Sequence, residues 1–360
     1  MLPKTDATKG LSVRVRLILS LAAVVLVGWQ GAAIAQQMDR QALIERFREA
    51  RANGTLGHGG LRDLVRGQGF ENGQRAGRMR GKGLGERGQQ QVDPSVWEKV
   101  DRRVDVAYGS GPLQKLDVYV PKSKSAVKMP ILVFLHGGGW RMGDKKQQGA
   151  KGPLYAQNGI IFVNANYGLA PQVVHPQQVL DVAKAIKYAV DHAPEWGGDP
   201  ERIFLMGHSA GAQLVDLVAT NHRFLQQVGV KVTSIKGVIS LDTASLDLLK
   251  RTNESSFEGQ HVGAMIEQAF GKDPEMLKDG SPTLNINKGS YYPPFLMFCG
   301  ERRRSCLEQH REFARQLKGV GVKVAVKPVA LSHRDINLAS GNSTTEIFKE
   351  SKAFIESGRF

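Results

Sequence analysis

From Val96 onward, short apolar runs alternate with longer stretches whose apolar positions recur at helical spacing. The short runs fall at 104–108, 115–119, 131–135, 160–164, 202–206, 236–241, 295–299 and 322–329. Each has the length and composition of a buried or half-buried strand. Stretches 179–192, 212–219, 308–320 and 345–357 place apolar residues three and four apart and read as amphipathic helices. Strands alternating with helices predict an α/β fold, a mainly parallel sheet with helices on both faces. Such sheets bind ligands at the carboxyl ends of their strands. The alternation fails between Asp242 and Pro294, where Phe257, Met265, Ile266, Phe270 and Leu277 predict an insertion, about 243–294, forming a small cap.

Before Val96 the pattern is different. Lys4, Lys9, Arg14 and Arg16 precede an apolar run from Leu17 to Trp29, followed by Ala33-Ile34-Ala35. A basic start, an apolar stretch and small residues at a cleavage position predict a secretory signal peptide over residues 1–35 and a periplasmic or secreted chain. The competing reading, an uncleaved anchor, is disfavoured because the run is short for a span and diluted by Gln30, Gln36 and Gln37. Residues 36–95 are rich in glycine and arginine, with eleven bases against six acids up to Gln91, and predict a basic arm or linker. Residues 41–51 have the makings of a short helix. The catalytic domain is expected over 96–360.

Composition narrows the class. At 360 residues, 41% hydrophobic and 23% charged, the chain has material for one large core plus appendages. Its formal net charge of +15 is concentrated before residue 91. The arm reads either as a solvated linker or as a segment attracted to an anionic envelope or acidic polysaccharide. No aromatic interleaving or nucleic-acid module accompanies the charge, so no nucleic acid partner is expected.

The chemistry concentrates at Gly207-His208-Ser209-Ala210-Gly211, a G-x-S-x-G turn between a predicted strand and a predicted helix. This is the arrangement of a nucleophile elbow, in which a strained corner exposes a serine hydroxyl above the sheet. His136-Gly137-Gly138-Gly139-Trp140 follows the strand at 131–135 and emerges on the same edge. Its glycines allow backbone N–H groups to approach a substrate oxygen, so Gly138, Gly139 and Ala210 are the expected oxyanion donors. A serine needs a base. Of nine histidines, His333 follows the strand at 322–329 late in the chain, in the order serine, acid, histidine, and is the expected base. His136 and His208 read as structural.

These residues, with Leu116 to Pro121, Asn166-Tyr167-Gly168-Leu169-Ala170-Pro171, Asp181-Val182 and Gly197-Gly198-Asp199-Pro200, make the chain resemble a known family. It is similar to the α/β-hydrolases of the hormone-sensitive-lipase, acetyl-esterase and feruloyl-esterase-like (BD-FAE) type, which include arylformamidases. The resemblance runs from about Leu116 to the C-terminus. It implies an α/β-hydrolase fold and serine-dependent hydrolysis of small or aromatic esters, or of amides, without metal or organic cofactor.

One position departs from the family. An aspartate is expected three residues after Gly300, and Arg303 stands there. Asp242, at the end of the preceding strand, is the favoured substitute for the acid, with Glu301 the second choice. The departure also supports an alternative, a catalytically impaired homologue acting as a binding protein. Arg302, Arg303 and Arg304 read as a solvated face or as an attraction for a carboxylate-bearing substrate. The only two cysteines, Cys299 and Cys306, bracket this turn and predict either a disulfide or a buried pair of small hydrophobes.

Overall fold

The computed structural model of the chain describes residues 94–123 and 125–360. The expected signal peptide, and the basic arm up to residue 93, lie outside the described residues.

A short helix α1 (Pro94–Glu98) leads into an eight-stranded sheet with order β1-β2-β4-β3-β5-β6-β7-β8. Strands β1 (Val100–Ala107) and β2 (Lys115–Pro121) are antiparallel to each other, and β2 is antiparallel to β4 (Ile161–Ala165). The rest is parallel: β3 (Met129–Leu135), β5 (Gly198–His208), β6 (Ile235–Leu241), β7 (Phe295–Gly300) and β8 (Val324–Val329). The sheet is therefore mainly parallel, as the alternating pattern predicts.

Side chains of successive residues point to opposite faces of a strand, so each central strand feeds two cores. Ile131, Val133, Leu135, Ile203 and Leu205 enter one core, and Leu132, Phe134, Phe204 and Met206 enter the other. All but Phe204 are 0–1% exposed, and burying such a side chain contributes roughly 1.5–3 kcal/mol. Helix α2 (Lys151–Gln157) lies on the second face, and α3 (Gln177–His192), α4 (Ala210–Thr220) and α5 (Arg223–Gln227) lie on the first. Three helices fill the region expected to break the alternation: α6 (Leu248–Thr252), α7 (Phe257–Phe270) and α8 (Pro274–Asp279). The first face also carries α9 (Arg304–Gly319). The second carries α10 (His333–Ala339) and α11 (Glu346–Ser357). Among the described residues no helix is long and apolar enough to cross a membrane.

The expected boundaries differ from the observed ones where hydrophobic pattern carries little information. Strand β1 starts at Val100 rather than near 104, because an edge strand paired only with β2 can leave Val104 half exposed. Helix α9 begins four residues early, at Arg304, because its first turn, Arg304-Ser305-Cys306-Leu307, is too short a stretch to reveal a helical period. His333 does not lie in a loop as its polar surroundings suggest. It is the first residue of α10, whose N-cap Ser332 accepts a hydrogen bond from the Asp335 N–H.

Candidate active site

The carboxyl ends of β3, β5, β6 and β7 bring the sequence-predicted residues to one edge. Ser209 follows β5 at φ 56°, in the left-handed region, and is the N-cap of α4, yet its side chain makes no capping hydrogen bond. Such a conformation costs a non-glycine residue on the order of 1–3 kcal/mol, sustained by the structure around it. That structure is tight. A Cβ on Gly207 would meet the Gly211 carbonyl oxygen at 2.3 Å, and one on Gly211 would meet the His136 carbonyl oxygen at 2.4 Å. Only glycine fits either position, because the first turn of α4 is pressed against both the end of β5 and the end of β3. The Ser209 N–H donates to the Leu241 carbonyl at 3.0 Å, which ties the elbow to the end of β6.

The glycine run after β3 adjoins this corner. A Cβ on Gly137 would lie 3.0 Å from Ser209 Cβ, and Gly138 and Gly139 have φ of 128° and 59°. Among the described residues no hydrogen bond takes the N–H of Gly138, Gly139 or Ala210. The loop is anchored behind by Trp140, a fully buried side chain whose Nε1–H donates to Gln213 of α4 at 3.0 Å. Gln213 in turn donates to the Gly280 carbonyl at 2.7 Å. On its outer side the loop meets α7, since a Cβ on Gly139 would be 2.6 Å from Met265 Sδ. A cavity of about 590 Å³ opens beside the same loop, lined by Leu113, Arg141, Leu169, Val173, Gln177 and Lys184 among others.

The acid side is assembled from charges. Asp242 is fully buried, and its Oδ2 lies 2.5 Å from His333 Nδ1. A carboxylate at Nδ1 holds the imidazole with its proton there, leaving Nε2 to accept a proton. The same Oδ2 accepts from Arg303 Nη1 at 2.5 Å, and Arg303 Nη1 is 3.0 Å from His333 Nδ1. Oδ1 accepts from the Gly300 N–H at 3.0 Å. Burial alone would raise the Asp242 carboxyl. The hydrogen bond to His333, the Arg303 charge and the Gly300 N–H outweigh burial and hold it well below the usual carboxylate range. Glu301 is exposed in the turn that follows β7. Of the two acids considered, the geometry brings Asp242 to His333.

Two histidines sit in support. His208 Nε2 donates to the His333 carbonyl at 2.9 Å, and the rings stand 4.5 Å apart. Burial, reinforced by His333, pushes His208 down to about 3, so its ring stays neutral and remains a donor. His136 is buried and stacks on Tyr167 with centroids 4.6 Å apart, and burial also lowers its basicity. Beneath the Asp242 loop, Asp216 of α4 accepts from Ser240 at 2.5 Å and Thr243 at 3.2 Å. Burial pushes Asp216 up to about 7.

Sequence reasoning missed three of these contacts. Arg303 is not turned toward solvent or a substrate but clamps Asp242, whereas Arg302 and Arg304 are exposed. The signal was present, since a cation in place of the expected acid implies a carboxylate nearby. His208 holding the His333 backbone and Asp216 under Thr243 left no signal in pattern or spacing.

Comparison with known proteins follows the same geometry. The BD-FAE family model matches residues 116–317. The isoprenylcysteine alpha-carbonyl methylesterase ICME of Arabidopsis thaliana is 29% identical over 270 residues, 72% of this chain and 60% of that protein. Esterase LipC of Mycobacterium tuberculosis is 30% identical, covering 60% of this chain and 55% of its own. Relatives of this kind are matched over about half to three-fifths of their length. Among solved structures, an inhibited esterase B from Lactobacillus rhamnosis superposes with TM-score 0.61 at 20% identity, covering 72% of this chain and 89% of that one. Butyrate-bound esterase 2 of Thermogutta terrifontis does so with TM-score 0.55 at 22% identity, over 72% and 93%. These likenesses establish an α/β-hydrolase fold.

Proposed function

The chain belongs to the BD-FAE family, and from that premise and the site geometry we propose that it is an exported serine carboxylesterase acting on small or aromatic esters. Ser209 Oγ attacks the ester carbonyl while His333 Nε2 takes its proton, and Asp242 stabilises the imidazolium that forms. The N–H groups of Gly138, Gly139 and Ala210 receive the oxyanion of the tetrahedral intermediate. Collapse expels the alcohol, which collects the proton from His333 and leaves an acyl group on Ser209. His333 then activates a water that releases the acid. Every step uses side-chain and backbone groups of this chain and calls on no metal or organic cofactor.

The observation that carries this reading is the 2.5 Å contact between Asp242 Oδ2 and His333 Nδ1 beside the strained Ser209 corner. The similarity to a methylesterase and to esterases supports the ester class. Export rests on residues 1–35, and the basic arm is proposed as a solvated linker with weak attraction to anionic envelope surfaces. N-terminal sequencing of the exported protein should read from near Gln36. Hydrolysis of phenyl acetate by the purified protein and by Ser209→Ala tests the activity, and equal rates from the two would defeat it.

Arg303 favours a second reading. Its guanidinium lies 3.0 Å from His333 Nδ1 and competes for Asp242, as in a chain that binds esters without turning them over. Ester binding by calorimetry with no turnover at any pH would select that reading.

A further inference from the structure

Cys299 closes toward the end of β7 and Cys306 lies in the first turn of α9, so the two cysteines bracket the turn carrying Gly300 and Arg303. Both are free thiols, 0% and 3% exposed, with their Sγ atoms 3.2 Å apart. Cys306 Sγ is also 3.2 Å from Asp242 Oδ1. The Asp242 carboxylate thus takes three contacts from this one turn and its flank, the Gly300 N–H, the Arg303 guanidinium and the Cys306 thiol. Whatever fixes the turn fixes the carboxylate.

We infer that Cys299 and Cys306 are joined by a disulfide in the exported protein, and that this bridge is a staple holding the Asp242 turn in its working position. The consequence for turnover rests on the esterase reading above; the bridge itself does not. Its chemistry is thiol–disulfide exchange with a small or protein-borne disulfide as oxidant. The Cys306 thiolate attacks one sulfur of the oxidant, forming a mixed disulfide and releasing one thiolate. Cys299, deprotonated, then attacks the Cys306 sulfur and releases the second. The two thiol protons end on the two released thiols, and the oxidant is reduced by two electrons. Exchange takes place while the chain is folding, before α9 closes over the sulfurs.

The surroundings assign the two roles. Cys306 sits at the N-terminus of a 16-residue helix, where the helix dipole favours a thiolate. A hydrogen bond from Cys299 and the neighbouring His310 lower it further, against burial, while Cys299 is pushed up by the same pairing. Unbridged, the pair leaves an ionisable sulfur 3.2 Å from the Asp242 carboxylate, and charge there repels it. Bridging removes that charge and ties the start of α9 to the end of β7. What is given up are two S–H contacts, from Cys306 to Asp242 and from Cys299 to Cys306, both from weak donors.

Cys299, Cys306 and His310 also bring their ligand atoms within 4.8 Å of one another, so a thiophilic divalent metal is the competing occupant. The test uses the protein purified from an oxidising compartment. Intact mass, thiol titration in denaturant, bound zinc, melting temperature and phenyl acetate turnover are measured before and after reduction with a dithiol. The expected mass is two hydrogens below that of the reduced chain, with no titratable thiol and no zinc. Reduction should lower the melting temperature by about 5 °C and turnover by roughly threefold to tenfold, both restored by oxidised glutathione. The Cys299→Ser/Cys306→Ser double variant should behave as the reduced protein does and ignore the redox buffer. Two free thiols after refolding in oxidised glutathione, zinc bound to the purified protein, or a bridge whose reduction changes neither melting nor turnover would each overturn the inference. Mass and thiol count report the bridge even in a protein that hydrolyses no ester, so the two proposals fail separately.

Discussion

Around Ser209 position is set by steric contact: Gly207, Gly211 and Gly137 are held so close to their neighbours that a single methyl group would collide. Around Asp242 position is set by charge: one buried carboxylate is shared between His333, Arg303 and a backbone N–H. The first region tolerates no added volume, while the second depends on the balance of its charges. A close-packed corner fails abruptly when overfilled. A charge cluster can be retuned: here the Asp242 carboxylate, just past the end of β6, is shared by Arg303 and His333.

Substitutions separate the two regimes. His333→Ala removes the proposed base, which Asp242 holds at Nδ1, and should lower kcat by about 10⁵-fold or more, checked against phenyl acetate. Gly138→Ala tests the steric side. Its Cβ would meet the Met142 carbonyl oxygen at 2.0 Å, and φ is 128°, so turnover should drop about 100-fold to 1,000-fold with the far-ultraviolet dichroism unchanged. A normal rate in this variant would mean that the oxyanion is received elsewhere. Arg303→Met tests the charge side. Asp242 keeps His333 and Gly300, so kcat should fall only about tenfold, with a melting temperature several degrees lower. An increase in kcat would show instead that Arg303 holds Asp242 away from its imidazole.

The smallest effect is one of pH. His208 is held at about 3, below its ordinary 6.5, so the folded protein refuses a proton that the unfolded chain accepts. Stability should therefore be full above about pH 6.5 and decline as pH falls toward 3, by up to about 1.4 kcal/mol per unit. His208→Gln, which keeps a donor for the His333 carbonyl, should flatten that slope in denaturant titrations between pH 4 and 6. An unchanged slope would place its origin in other groups.

Much of the steric region was legible in the sequence, because close approach demands glycine and glycine is visible: the spacing of Gly207 and Gly211 about Ser209 and the run after β3 state the requirement directly. The parallel sheet was legible for the same kind of reason, since strands buried on both faces must be apolar throughout. The charge region was legible only as an anomaly. Arg303 in the wrong place signalled a displaced acid, but Asp242 and Glu301 were separated only by where the strands ended. Helices α2 and α10 escaped notice because seven residues are too few to establish a period.

The central claim is that Asp242 supports His333 in this site. The most direct measurement compares kcat for phenyl acetate in Asp242→Asn and Glu301→Gln. The account predicts a loss of about 10⁴-fold in the first and a rate within about twofold of the parent in the second, since exposed Glu301 lies outside the site. Full activity in Asp242→Asn together with a large loss in Glu301→Gln would contradict it.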